Sequence, residues 1–295
     1  MADGVDELFD VRNALYIGNY QVCVNEANKA SPSDDAKEDC QLLMYRAMVA
    51  QGKYAVVKGD ISTTSSSALQ AVKLLARYLH GKHERASVVE EAKNLADDGI
   101  SLTNPSVALV LGTIFSQDGQ QEQALKCLHG VEAVEAMALY IQILLQMNRL
   151  DLAKKKLSEL QKLDEDSTMT QLATAWVGLA TGGDKIQEAF YIFQELSDKF
   201  GPTPLLLNGQ AATHVQQGQY DEAEEALLAA LEKDSNNAET LINLVAVSTY
   251  MGKAPEVAQR YLNQLRDSAP EHPYVADLAE KEGLFQTFCQ QYSQQ

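Results

Sequence analysis

Cysteine is scarce in this chain. Of 295 residues only 4 are cysteine (Cys23, Cys40, Cys127 and Cys289), and no two form a CxxC pair. Distant from one another and each within a helical pattern, all four read as buried small hydrophobes in a reducing compartment. Histidine numbers 5. His80 and His83 have H-x-x-H spacing but no third ligand nearby, so they read as a solvated turn. Cys127 and His129 lie two residues apart, where helical side chains diverge, which excludes a catalytic pair. Basic residues are short too: 24 against 41 acidic, a net charge of −17. Such a surface repels phosphate backbones and anionic membranes, which argues against nucleic acid and direct membrane contact. The acidic stretches 34–35 and 221–225 read as solvated faces or first-turn helix charges. Long hydrophobic runs are missing: the most apolar stretch, 107–115, is interrupted by Gly112 and Thr113 and is far too short to span a bilayer. The first residues are acidic and do not resemble a signal peptide. No P-loop, GxGxxG or GxSxG motif occurs. The expectation is a cytoplasmic, non-catalytic protein with no cofactor, no metal site and no small-molecule substrate.

Proline at 7 and glycine at 17 leave room for long helices joined by short turns. Self-similarity then becomes the strongest signal. Gly218-Gln219-Tyr220-Asp221-Glu222-Ala223 follows Asp184-Lys185-Ile186-Gln187-Glu188-Ala189 by 34 residues. Gly252 lies another 34 on, and Gly18-Asn19-Tyr20 and Gly52-Lys53-Tyr54 show the same interval. A 34-residue period belongs to the tetratricopeptide repeat (TPR), a pair of antiparallel helices. The glycine ends the first helix in a left-handed conformation. The tyrosine packs over the turn, and the alanine three residues later sits where the helices approach closest. Breaks at Gly201-Pro202, Asp234-Ser235 and Ala269-Pro270 end the second helices.

This register predicts an all-α fold, a right-handed α–α superhelix or TPR-like solenoid. About eight helix pairs begin near residues 4, 38, 66, 105, 134, 170, 204 and 238, within one domain over 1–295. Repeats are degenerate over about 4–169 and clearer over about 170–271, and residues 272–295 cap the array. The third pair, helices at 66–79 and 84–96, matches the consensus poorly; Ser66 or a neighbour caps its start. The second helix after Ala124 is cut short near His129-Gly130. Trp176 falls on a core-facing position and reads as packing.

In a TPR superhelix the first helix of each pair lines the concave face. The positions pointing there are Leu8, Leu15, Leu42, Val49, Leu109, Ala138, Leu145, Gly178, Ala212, Val215, Ile242 and Ala246. They form the candidate partner-binding groove, or else extend the inter-helix core. TPR domains that clamp acidic chaperone tails carry Lys, Arg and Asn at such positions. Here Arg46 and Asn208 are isolated exceptions, so the groove suits an extended or hairpin segment with apolar side chains, held durably.

Several strings go beyond TPR consensus. They are 6–13 (Asp6-Glu7-Leu8-Phe9-Asp10-Val11-Arg12-Asn13) with Tyr16-Ile17-Gly18-Asn19-Tyr20-Gln21, and the stretch 137–145 leading into Asn148-Arg149. Thr174-Ala175-Trp176, Gly209-Gln210-Ala211-Ala212-Thr213-His214, Glu239-Thr240-Leu241-Ile242-Asn243-Leu244 and His272-Pro273-Tyr274-Val275 complete the set. Over essentially its whole length the chain resembles the ε-subunit of coatomer, the COPI vesicle coat. The resemblance implies repeats curved into a bracelet around a projecting segment from the C-terminal domain of the coatomer α-subunit. It further implies a structural role on Golgi membranes and COPI vesicles, in retrograde traffic to the endoplasmic reticulum and within the Golgi. It implies no catalytic residue.

Overall fold

The structure, a computed structural model, describes residues 6–99 and 101–293. Expectations for residues 1–5, 100, 294 and 295 lie outside the described residues. Those described form α-helices, one short 3-10 turn (Ser101–Thr103) and loops, with no strand among them. The helices pair in chain order: α1 (Phe9–Tyr16) with α2 (Tyr20–Lys29), α3 (Lys37–Ala50) with α4 (Tyr54–Asp60), and α5 (Ser67–His80) with α6 (Lys82–Asp97). Next come α7 (Pro105–Gln117) with α8 (Gln121–Leu128), and α9 (Val134–Gln146) with α10 (Leu150–Leu163). Then follow α11 (Thr168–Thr181) with α12 (Asp184–Phe200), α13 (Pro204–Gln217) with α14 (Tyr220–Lys233), and α15 (Ala238–Tyr250) with α16 (Pro255–Ser268). A final helix, α17, spans Pro273–Ser293. Each predicted pair is present, including the truncated α8.

The turns inside the pairs share one chemistry. Gly218 has φ 75°. Its N–H donates to the Val215 carbonyl, and the next N–H, of Gln219, reaches back to His214. This is the two-bond closure that satisfies orphan carbonyls at a helix end. The same pair of bonds recurs at Gly18, Gly52, Gly119 and Gly252. Asn148 makes it too, at φ 58°, the one non-glycine with positive φ among the described residues. Asparagine tolerates the left-handed region better than other side chains. Gly81, between α5 and α6, is extended instead. That pair closes without the left-handed turn, which is why it lacks the repeat signature.

First helices open on side-chain caps at several pairs. The Leu69 N–H donates to Ser66 Oγ, and the Ser106, Leu206 and Thr240 amides donate to Asn104, Thr203 and Asn237. Ser66→Ala is expected to cost about 1 kcal/mol, read as a lower urea midpoint with an unchanged slope. At the close crossing inside four of the pairs sit Ala124, Ala153, Ala189 and Ala223, all essentially buried. Cys23 and Val57 hold the equivalent places in the first two pairs. Burial pushes the Cys23 and Cys127 thiols up to about 11, so both stay protonated at neutral pH. Cys289 departs from expectation: it is exposed, because α17 leaves the core before reaching it.

Contacts divide the chain into two compact units, Met1–Ile192 and Phe193–Gln295, with the division inside α12. In the first unit, three apolar clusters run through the helix pairs, and Trp176 packs against one of them. In the second, α13 to α16 share one cluster, joined by Tyr274, Val275 and Leu278 from the start of α17.

Candidate functional site

In the first unit the repeats curl far enough for α1 to touch α11. A polar network marks this closure on the first helices. The Tyr16 hydroxyl, on α1, donates to Glu135 Oε1 on α9 at 2.7 Å. Arg46, on α3, donates to the other Glu135 oxygen. The Arg46 and Glu135 side chains keep 21% and 18% exposure, so solvent screens the pair weakly. Burial pushes the Glu135 carboxyl up. The Arg46 charge and the hydrogen bonds from Arg46 and Tyr16 outweigh that and hold it below the usual carboxylate range. Burial, reinforced by Glu135, pushes the Tyr16 hydroxyl up, so it stays a donor. A cavity of about 260 Å³ opens beside this network, with Arg12, Leu42, Leu109 and Ser167 also in its wall.

The second unit carries a comparable device. Asn208 on α13 donates to the Pro204 carbonyl and to Thr240 Oγ1 on α15, each at 2.7 Å, and accepts from Asn243 at 2.8 Å. The two polar exceptions on the first-helix face, Arg46 and Asn208, are therefore committed inside the protein, tying one pair to another. Neither is free to clamp an acidic tail.

The predicted groove residues separate by burial. Leu15, Leu109 and Leu145 are half-buried in the first unit, as are Ala212, Val215 and Ile242 in the second, and Ala246 is exposed. Leu42 and Leu109 come together in the cavity wall, although Leu42 is itself buried. Leu8, Val49, Ala138 and Gly178 belong to the packing instead. Leu8 precedes α1 rather than sitting on its face, and it is buried with Val11 and Cys23. Val49 packs in one cluster with Val57 and Ile61, and Ala138 lies in the core of α9 and α10. Gly178 faces α12 so closely that a Cβ would come within 3.0 Å of the Lys185 carbonyl. Sequence reasoning missed Glu135 and Tyr16. A lone arginine on an otherwise apolar face was the available signal, since a half-buried cation needs a counter-charge.

Among the described residues, no group of three His, Cys, Asp or Glu is placed to hold a metal ion. No described helix is long and apolar enough to cross a membrane.

Comparison with known proteins decides the family. The family model described as coatomer epsilon subunit matches residues 4–293. The chain belongs to the coatomer ε-subunit family. Coatomer subunit epsilon-1 of Arabidopsis thaliana is 41% identical over 98% of both chains. The Dictyostelium discoideum coatomer subunit epsilon is 33% identical, covering 95% of this chain and 97% of the relative. Membership makes the chain a subunit of the COPI coat, in complex with other coatomer subunits. Among solved structures, a tetratricopeptide repeat protein from Parabacteroides merdae superposes with a TM-score of 0.53 at 13% identity, covering 93% of this chain and 96% of that one. A chain of the APC/C hetero-tetramer Cut9–Hcn1 gives 0.59 at 16% identity and covers 95% of this chain, which spans 57% of that longer one. At those identities the likeness establishes the fold alone: a TPR solenoid.

Proposed function

We propose that this chain is a non-catalytic structural subunit that holds the C-terminal domain of the coatomer α-subunit on the faces of its first helices. There it stabilises the coat during Golgi-to-endoplasmic-reticulum retrograde and intra-Golgi transport. Its place is the cytoplasm, peripherally on Golgi membranes and COPI-coated vesicles, with no nucleic acid and no membrane insertion. One observation carries the reading: the predicted first-helix positions that stay partly open, Leu15, Leu109, Leu145, Ala212, Val215, Ile242 and Ala246, are apolar, while the two polar exceptions, Arg46 and Asn208, are engaged in internal bonds. Apolar faces of this kind suit permanent partners better than transient ones.

The test combines Leu145→Asp, in the first unit, with Ile242→Asp, in the second. Each places a charge where an apolar contact is proposed. Affinity for the purified C-terminal domain of the α-subunit should fall on the order of 100-fold, with the helical circular dichroism signal retained. Leu228→Asp, on an exposed position of the second helix α14, should leave affinity unchanged. Full binding by the folded double variant would remove the first-helix faces from the interface.

A further inference from the structure

Between α4 and α5 the chain runs through six consecutive hydroxyl residues, Ser62 to Ser67, and elsewhere in the sequence no more than two stand together. Most of these hydroxyls are committed. Ser62 Oγ lies 2.9 Å from Thr64 Oγ1 and 3.2 Å from Ser65 Oγ. Ser66 Oγ accepts from the Leu69 amide and caps α5. Thr63 stands apart. It is exposed, it sits in the turn between the helices, and its hydroxyl bonds none of the described residues. Ser67 is exposed too, but its backbone is already fixed in α5.

A cation without a counter-charge faces the same space. Thr63 and Lys73 share the wall of a cavity of about 580 Å³, with Ser67, Gln70, Arg77 and Glu91 around it. The Lys73 ammonium donates to the Ile61 carbonyl at 2.6 Å, two residues before Thr63, and pairs with no carboxylate among the described residues. Its basic neighbours are neutralised, Lys58 by Glu84 and Arg77 by Glu84 and Glu91. Glu91, the carboxylate in that wall, is therefore already engaged. Lys73 is half-buried, and its one bond is to a neutral carbonyl, so its charge remains for an incoming anion.

We propose that Thr63 is a phosphorylation site whose phosphate docks on Lys73. In the transfer, Thr63 Oγ1 attacks the γ-phosphorus of a nucleoside triphosphate held by a protein kinase. The bond from that phosphorus to the bridging oxygen breaks, the nucleoside diphosphate leaves, and the hydroxyl proton passes to the kinase's base. The new group carries about −1.5 to −2 charge at neutral pH and brings strong acceptor oxygens. Lys73 turns from the Ile61 carbonyl to those oxygens in a charge-assisted bond. The phosphate thereby ties the α4–α5 loop to α5. This inference is independent of the partner assignment above.

The experiment begins with the full chain purified from its own cells in the presence of phosphatase inhibitors. Trypsin cuts after Lys58 and Lys73, so one peptide, 59–73, carries the whole hydroxyl run. Fragmentation of that peptide should place a phosphate on Thr63. An unmodified peptide, or phosphate on other residues of the run alone, would overturn the site. Docking is read by phosphorus NMR on the full chain carrying phosphothreonine at position 63. The second ionisation constant of the phosphate should be at least ~3-fold larger than in the phosphorylated peptide 59–73, because a nearby cation favours the dianion. Lys73→Gln should abolish that difference, and Lys73→Arg, which keeps the charge, should retain it. Amide exchange over 61–66 should slow on phosphorylation in wild type and not in Lys73→Gln. A phosphate that titrates as in the free peptide, whatever stands at position 73, would overturn the docking.

Discussion

Glu135→Ala is expected to lower the unfolding free energy by about 3 kcal/mol. The substitution strips Arg46 of its counter-charge and Tyr16 of its acceptor, on a face where both are largely shielded. The figure sits at the low end for a buried pair because about a fifth of each side chain still meets water. Replacing both ends, with Arg46→Met and Glu135→Leu, should recover most of the loss, since no charge is then left unpaired. A purely packing role for Glu135 would show no such recovery. The pair also fixes a pH dependence. The Glu135 carboxyl titrates lower in the folded chain than its ordinary value of 4.5. Its contribution is therefore fully present above about pH 4.5 and is lost as pH falls through the lowered folded value. Acid unfolding followed by circular dichroism should show a shallower slope in Glu135→Gln than in wild type below pH 4.5.

Gly209→Ala should destabilise the second unit by about 2 kcal/mol, although alanine is the better helix former. A Cβ built on Gly209 comes within 2.5 Å of Phe193 Cε1, and Phe193 is only 1% exposed. The ring is hemmed in and has nowhere to swing, so the clash must be met by backbone movement or an off-rotamer ring. Phe193→Leu in the same chain should relieve most of it. Gly283→Ala supplies the contrast. It lies in α17 with nothing within 4 Å of its would-be Cβ, so the same chemical change should stabilise that helix by about 0.5–1 kcal/mol. Thermal melts of the three variants check the signs directly.

The repeat is readable because its signals are local. A glycine, a tyrosine two residues on and an alanine three later report one turn, and the turn needs no distant partner. Asn148 keeps that turn without its glycine and is still legible through the flanking register. The third pair is hidden because Gly81 is extended, so the turn that carries the signature is not made. What the sequence could not reveal is long-range. Tyr16 and Arg46 meet Glu135 across 119 and 89 residues, and nothing near Glu135 distinguishes it from a first-turn acid. Part of the predicted groove falls into the core for the same reason. Leu8, Val49, Ala138 and Gly178 share the period of the open positions, but whether a first-helix residue faces a ligand or a neighbouring helix depends on how tightly pairs stack. Cys289 reads as a core residue because helical periodicity continues along α17 after the core has stopped.

The central claim is that the first-helix faces give an apolar, durable grip on the C-terminal domain of the α-subunit. Size-exclusion chromatography of the two purified proteins, run at about 0.1 M and about 1 M salt, tests it most directly. At the higher ionic strength charges are screened beyond about 3 Å, while apolar contacts persist. A single 1:1 peak at both salt concentrations is the predicted result. Separate elution, or a complex that dissolves at the higher salt, would contradict it.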